Sequence, residues 1–258
     1  VRRLPAGLPP LLALAGLLAA WEVASRFLAL DGLPSVPATL AALPDLVADP
    51  DFARNLLASL RRMATGFCLA LALALPAGLA MGRSRTVAAL LNPLTMMVYP
   101  VPKAALMPLI MLWLGVGDLA KTLVIVLGVS LPVLYHAYQG ARAVEEKMLW
   151  SAAAMGLSGP ARAARVVLPA ALPEILVGCR TGIVLALITM ATSEMIARQS
   201  GIGAVLFNAL DLAQYETVYA IILVIGALGV GLDVLFEGAR ARLVGWAGPP
   251  PALAPASA

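Results

Sequence analysis

The sequence predicts an all-α, polytopic membrane protein with about six transmembrane helices, and three observations carry that prediction. Hydrophobic residues make up 61% of the 258 residues and charged residues 12%, against about 45–50% and about 25% in ordinary globular domains. Mean hydropathy is +0.92, more apolar side chain than a soluble chain of this length needs for a core. The apolar residues also gather in runs near the ~20 residues that a helix needs to cross the hydrocarbon layer.

In chain order the runs cover roughly 9–30, 64–82, 87–115, 119–138, 169–197 and 216–239. The first has no small-residue cleavage site behind a short apolar core and continues through Glu22 and Arg26, so a retained helix is expected. Residues 31–51, DGLPSVPATLAALPDLVADPD, are rich in Pro and Asp and read as a surface loop. Phe52, Leu56, Leu57, Leu60 and Met63 recur at helical spacing beside Arg54, Arg61 and Arg62. That is the pattern of an amphipathic helix entering the membrane obliquely. The tail GPPPALAPASA (248–258) is of low complexity and is expected to be disordered. Cys68 and Cys179 lie within apolar helical runs, so neither a disulfide framework nor a metal site is expected.

The net charge of +4 would suggest nucleic acid in a soluble protein, but here membrane topology accounts for the cations. With both termini inside, Arg2, Arg3, Arg83, Arg85, Arg142, Lys147, Arg162, Arg165, Arg240 and Arg242 fall on the cytoplasmic side. Arg26, Arg54, Arg61, Arg62, Lys121 and Arg198 fall outside. The tight loop Arg83–Arg85 and the basic segment 140–166 decide this orientation.

Residues 151–173, SAAAMGLSGPARAARVVLPAALP, form a polar, arginine-bearing stretch wedged between apolar runs. A short helix, a turn permitted by Gly156 and a second short helix make a compact knob able to dock in a partner's cleft. Pro169 suits the first turn of the next membrane helix, where a missing N–H costs nothing. Gly156, nine residues, then Val166-x-Leu168-Pro169 resembles the cytoplasmic coupling loop of ABC-importer permeases. That family's pattern runs Glu-Ala-Ala, three residues, Gly, nine residues, a branched apolar residue, x, Leu-Pro. Trp150 and Ser151 stand where Glu and the first Ala belong, and Ala152 is kept. LPSVPATLAAL (33–43), SLRRMATGF (59–67), YPVPKAALMPLIMLWLGVGD (99–118), LPVLYHAYQG (131–140) and SEMIARQSGIGAVL (193–206) follow in the order of one subfamily. Over about residues 20–243 the chain resembles nitrate/sulfonate/taurine-type importer permeases.

The resemblance implies a type I ABC-importer (MetI-like) permease fold in a bacterial cytoplasmic (inner) membrane. The organisation would be an N-terminal transmembrane helix and periplasmic loop (1–51), a permease core (52–247) with the coupling loop at 142–168, and the tail (248–258). Two permease copies would surround a central path, each docking its loop on one of two ATP-binding subunits. A periplasmic or lipid-anchored binding protein would deliver the solute. Ala152, Met155, Gly156, Leu157, Ser158, Val166, Leu168 and Pro169 carry the coupling loop. The sequence holds no G-x-x-x-x-G-K-[ST] motif, so a partner must handle ATP and the chain itself is not expected to be an enzyme or to hold a cofactor. The mechanism implied is alternating access, driven by closure of the partner ATPases. The solute implied is a sulfonate-, nitrate- or taurine-like anion, with a thiamine-precursor pyrimidine or other organic nutrient as the alternative. A secondary transporter would show two matching halves with equivalent broken helices, and the strongly broken stretch at 99–108 has no twin. A structural membrane subunit would have no reason to carry the loop, and one histidine cannot make a zinc-hydrolase helix.

Several polar residues within the spans have two readings each. Ionisable groups at membrane depth are costly and face a cavity or a partner. Lys103 lies among Pro100, Pro102 and Pro108; it either lines the path as a cation or caps carbonyls that the broken helix frees. Glu194 and Arg198, at i and i+4 before Gly201-Ile-Gly203, form either a periplasmic gate or an interfacial ion pair. Arg180 either faces the path or pairs with Asp233. Glu22 with Arg26 reads as an interfacial ion pair, and His136 as a satisfied interfacial residue. Ala74–Gly78–Gly82 and Gly226–Gly229 read as close helix packing.

Overall fold

The computed structural model describes residues 8–247, and every regular element among them is helical. The expected tail at 248–258, and Arg2 and Arg3, lie outside the described residues. α1 (Leu8–Leu28) leads into α2 (Val36–Ala48), so the 31–51 segment expected as a loop holds a helix. Its start is marked by Ser35, whose Oγ accepts from the Ala38 N–H at 3.3 Å, and by Pro37 in the first turn, while Pro44 lies inside the helix. Trp21 of α1 donates Nε1–H to the Pro34 carbonyl (3.0 Å), and Glu22 accepts both from Arg26 Nε (2.6 Å) and from the Val36 N–H (2.9 Å).

α3 (Pro50–Arg83) runs unbroken for 34 residues. The amphipathic segment 52–63 and the span 64–82 are therefore one helix. Phe52, Ser59, Arg62 and Met63 are buried, because protein, not a membrane surface, covers this half. α4 (Arg85–Val98) and α5 (Met107–Leu114) make up the third expected run as a pair bent by 83°, joined through a 3₁₀ turn at Lys103–Leu106. Pro100 and Pro102 lie in the break, whereas Pro108 sits in the first turn of α5 and starts a helix instead of breaking one. α6 (Asp118–Ala143), α7 (Glu146–Ala154), α8 (Gly159–Arg162), α9 (Leu168–Ala197), α10 (Ile202–Asp211) and α11 (Tyr215–Leu243) are the remaining α-helices of the described residues. Among the described residues, five helices are long and apolar enough to cross a membrane, and the bent α4–α5 pair makes a sixth span if counted as one.

α6 is the centre of the bundle, packed along both α3 and α9. Val124, Ile125, Val129, Val133, Ala137 and Ala141 are fully enclosed. Lipid tails are as apolar as leucine, so close van der Waals packing, not exclusion of water, holds such helices together. Ala74, Gly78 and Gly82 permit it by presenting almost no side chain to α6. A Cβ at Gly78 would stand 2.7 Å from Ala137 Cβ and 2.5 Å from the Leu134 carbonyl oxygen. The second small-residue pair divides: Gly229 lies against Leu187, but nothing stands within 4 Å of Gly226. Arg180 of α9 grips Asp233 of α11 in a bidentate pair (Nε–Oδ1 2.7 Å, Nη2–Oδ2 2.8 Å). Its role is to fix helix packing.

Gly78→Val should force α3 from α6 and lower the thermal midpoint of the detergent-purified protein by many degrees. Gly238→Ala, with nothing within 4 Å, should leave the midpoint unchanged or slightly raised, through better helix propensity.

Candidate functional site

The knob between α6 and α9 is built by one capping motif. α7 ends at Ala154 with Met155 as its C-cap residue, and Gly156 follows with φ +82°. The Gly156 N–H bonds the Ala153 carbonyl at 2.9 Å and the Leu157 N–H bonds the Ala152 carbonyl at 3.1 Å, the paired closure of a Schellman turn. Glycine is needed for its backbone angle alone, since nothing stands within 4 Å of an added Cβ. Ala152 is buried, while Met148, Trp150 and Met155 are 49%, 63% and 75% exposed. Exposed large apolar side chains around the knob are available to a partner. Ser158 stands as the N-cap residue of α8.

The second short helix does not stop before the span. α8 passes through a π-helical turn at Ala163–Val167 directly into α9. Pro169 stands in the first turn of α9, as expected, but on a helical path that continues from α8. The wide turn absorbs it: the Leu168 N–H reaches back five residues to the Ala163 carbonyl, and such a bulge accommodates the bend and the missing donor that proline brings. Val166 and Val167 pack with Leu149 and Ala141, anchoring the knob on α6.

At the other end of the same helices lies a buried polar network. Glu194 is fully buried. Its carboxylate accepts from Ser59 Oγ (2.7 and 2.8 Å), Arg62 Nη1 (2.6 Å) and the Gly203 N–H (3.1 Å). Arg62 also reaches Asp118 Oδ1 through Nε (2.6 Å) and Ser200 Oγ through Nη2 (2.6 Å). Lys121, 1% exposed, donates to the Ser200 carbonyl (3.0 Å) and hydroxyl (3.1 Å). Asn55 Oδ1 and Ser59 Oγ accept from the Gly201 and Ile202 N–H groups. Gly201, at φ +107°, has no room for a side chain, because a Cβ would fall on the Glu194 carboxylate. Two cations and two anions thus join α3, α6, α9 and the turn into α10.

The expected pairing of Glu194 with Arg198 does not occur. α9 ends at Ala197, and Arg198 adopts a left-handed conformation (φ 51°, ψ 27°) that directs it elsewhere. It pairs with Asp211 Oδ2 at 3.0 Å and lies 3.7 Å from the Phe207 ring centroid. Lys103 is likewise occupied: Nζ donates to the carbonyls of Val98 (2.6 Å), Tyr99 (2.9 Å) and Val101 (2.7 Å). Those are the groups freed where α4 ends, so the ammonium caps the break. His136 Nδ1 lies 2.7 Å from Glu174 Oε1.

Arg62, Lys121, Ser59 and Asn55 are the network members that sequence reasoning missed. Loop position places Arg62 and Lys121 in outer segments, yet both are protein-buried and say nothing about loop charge. The signal was present on α3, where Asn55, Ser59 and Arg62 recur at helical spacing as a polar stripe. Glu194→Ala should strand Arg62 and cost about 3–5 kcal/mol, the usual penalty for removing one partner of a buried pair. Glu194→Gln should cost less, and Arg62→Met with Glu194→Met should recover part of the loss. Thermal denaturation of the purified variants measures all three.

The sequence matches the family model described as "Binding-protein-dependent transport system inner membrane component" over residues 63–244. It is 33% identical over 205 residues to the taurine transport system permease protein TauC of Escherichia coli (strain K12), covering 80% of this chain and 74% of that one. It is 30% identical over 238 residues to SsuC of Bacillus subtilis (strain 168), a permease protein named for aliphatic sulfonates transport, covering 89% and 84%. A protein of Brucella melitensis biotype 1 named as an ABC transporter permease is 34% identical over 214 residues, covering 83% and 87%. The matched region holds the knob, the broken span and most of the buried network. The chain belongs to the family of binding-protein-dependent transport system inner membrane components, the membrane permease subunits of ABC transporters.

Proposed function

We propose that the chain is the permease of an importer for taurine or a related small alkanesulfonate. It receives solute from a binding protein and passes it inward when a partner ATPase closes. The observation that carries this reading is the knob: a glycine-capped turn with Trp150, Met148 and Met155 exposed, rooted between α6 and α9. Such a knob seats in a partner and transmits that partner's movement to two membrane helices. The relatives named for taurine and aliphatic sulfonates supply the solute class. Pairing with a second copy, docking of one ATP-binding subunit per copy, and a cytoplasmic position for both termini complete the arrangement. Glu194 and Arg198 hold the outer end in this orientation, but as parts of two separate ion pairs.

The test uses the purified complex with its ATPase and binding protein. The permease alone should hydrolyse no ATP. The full complex should hydrolyse ATP faster with loaded binding protein and accumulate taurine in proteoliposomes. Gly156→Val should leave insertion and assembly intact while uptake and stimulation both fall at least about tenfold, because a β-branched residue resists the left-handed turn. Cysteines at Met155 and Leu157 should crosslink to the ATPase. If reagents confined to the periplasm label them in intact cells, the orientation is wrong.

A further inference from the structure

At the knob end of the bundle, α3, α4 and α6 enclose a groove of about 630 Å³. It joins a second cavity of about 530 Å³ through shared walls at Met81, Asn92, Tyr138 and Arg142. The joined groove leads from Tyr99, beside the helix break, past Tyr135 and Tyr138 to Arg83 and Arg85. Its charge is mainly positive: Arg83, Arg85 and Arg142 line it, with Glu146 as the one carboxylate among the lining residues. Arg142 spends one donor on the Tyr138 hydroxyl at 2.9 Å, and its guanidinium lies 5.9 Å from that ring. No carboxylate lies within ion-pair distance of Arg142 among the described residues. Guanidinium has five N–H donors, so most remain for a ligand.

The hydroxyls are also poised to donate. Tyr138 accepts from Arg142, and Tyr135 accepts from Gln139 Nε2 at 3.0 Å, which leaves each phenolic proton for another oxygen. Asn92 adds a carboxamide to the same wall. Beside these donors Met96, Leu131 and Leu134 supply an apolar wall.

We infer that this groove is the anion-contacting stretch of the solute path, with Arg142, Tyr138 and Asn92 as its sulfonate contacts and the methionine and leucine wall facing the alkyl chain. A sulfonate fits because it is singly charged, accepts only, and has three oxygens for converging N–H and O–H groups. Arg83, Arg85 and Arg142, none with a carboxylate within ion-pair distance among the described residues, give the open groove a positive field that attracts such an ion. Lys103, whose ammonium is spent on three carbonyls, is not the cation of the path. The inference rests on the importer reading above.

The experiment is ATP-driven uptake of radiolabelled taurine and ethanesulfonate by proteoliposomes holding the complete complex, with ATP hydrolysis followed in parallel. Arg142→Gln and Asn92→Leu should each lower solute moved per ATP hydrolysed by about tenfold, the scale of one lost charge-assisted or donor contact. Arg142→Lys should keep part of the activity. Unchanged uptake in both variants, or hydrolysis falling in step with uptake, overturns the assignment. So does an Arg142→Gln defect present with anionic lipid but absent in phosphatidylcholine alone, which would make the cation a headgroup contact. Failure of the unaltered complex to import either probe overturns the importer reading itself, a result the variants cannot mimic.

Discussion

Burying the Glu194 carboxylate completely obliges the protein to meet its lone pairs from within, and that obligation fixes the positions of three long helices. An isolated carboxylate in such a setting is prohibitively costly, so it persists only with cations and donors brought to it. Ser59 and Arg62 come from one turn of α3, the Gly203 N–H comes from the start of α10, and Arg62 in turn draws in Asp118 at the head of α6. The Gly201-Ile202-Gly203 turn can approach closely enough only because glycine leaves the carboxylate its space. The register of α3, α6 and α9 at this end is a consequence of where these polar atoms must meet.

The sequence made the membrane class, the span positions and the glycine-centred knob legible, because each depends on local signals: hydropathy over a window, or a glycine at a fixed distance from Leu-Pro. It made the network poorly legible because that network is assembled across 132 residues, from Arg62 to Glu194, and partner choice at such separation leaves no local trace. Glu194 and Arg198 illustrate the difference. Their i, i+4 spacing promises a pair only while the helix lasts, and α9 ends between them at Ala197. The 31–51 segment shows the reverse error, where proline and aspartate counted as loop markers turn out to be positional: Ser35 and Pro37 begin one helix, Asp49 and Pro50 the next.

Prolines play three separate parts in this chain, and position decides which. Pro37, Pro50 and Pro108 sit in first turns and start helices. Pro100 and Pro102 end α4, and the carbonyls of Val98, Tyr99 and Val101 find a donor in Lys103 instead of water. Pro169 sits within a continuing helix and is carried by the π turn before it. Of the two readings open for Lys103, its three short hydrogen bonds support the carbonyl cap.

The two ends of α6 and α9 consequently differ in kind. One end is cross-linked by short charge-assisted bonds among buried groups, and such bonds hold a fixed geometry because any displacement strands a charge. The other end meets the knob through Val144, Leu149 and Val167, an apolar contact that is non-directional and can slide. A force applied to the knob enters α6 through the two-residue link after Ala143 and enters α9 through the π turn, where the backbone ladder is already irregular. With the far ends pinned together, the compliant end is the one that can move, and the groove lined by Arg142 and Tyr138 lies along that end. Movement of the knob is therefore expected to change the width of the groove before it changes anything at Glu194.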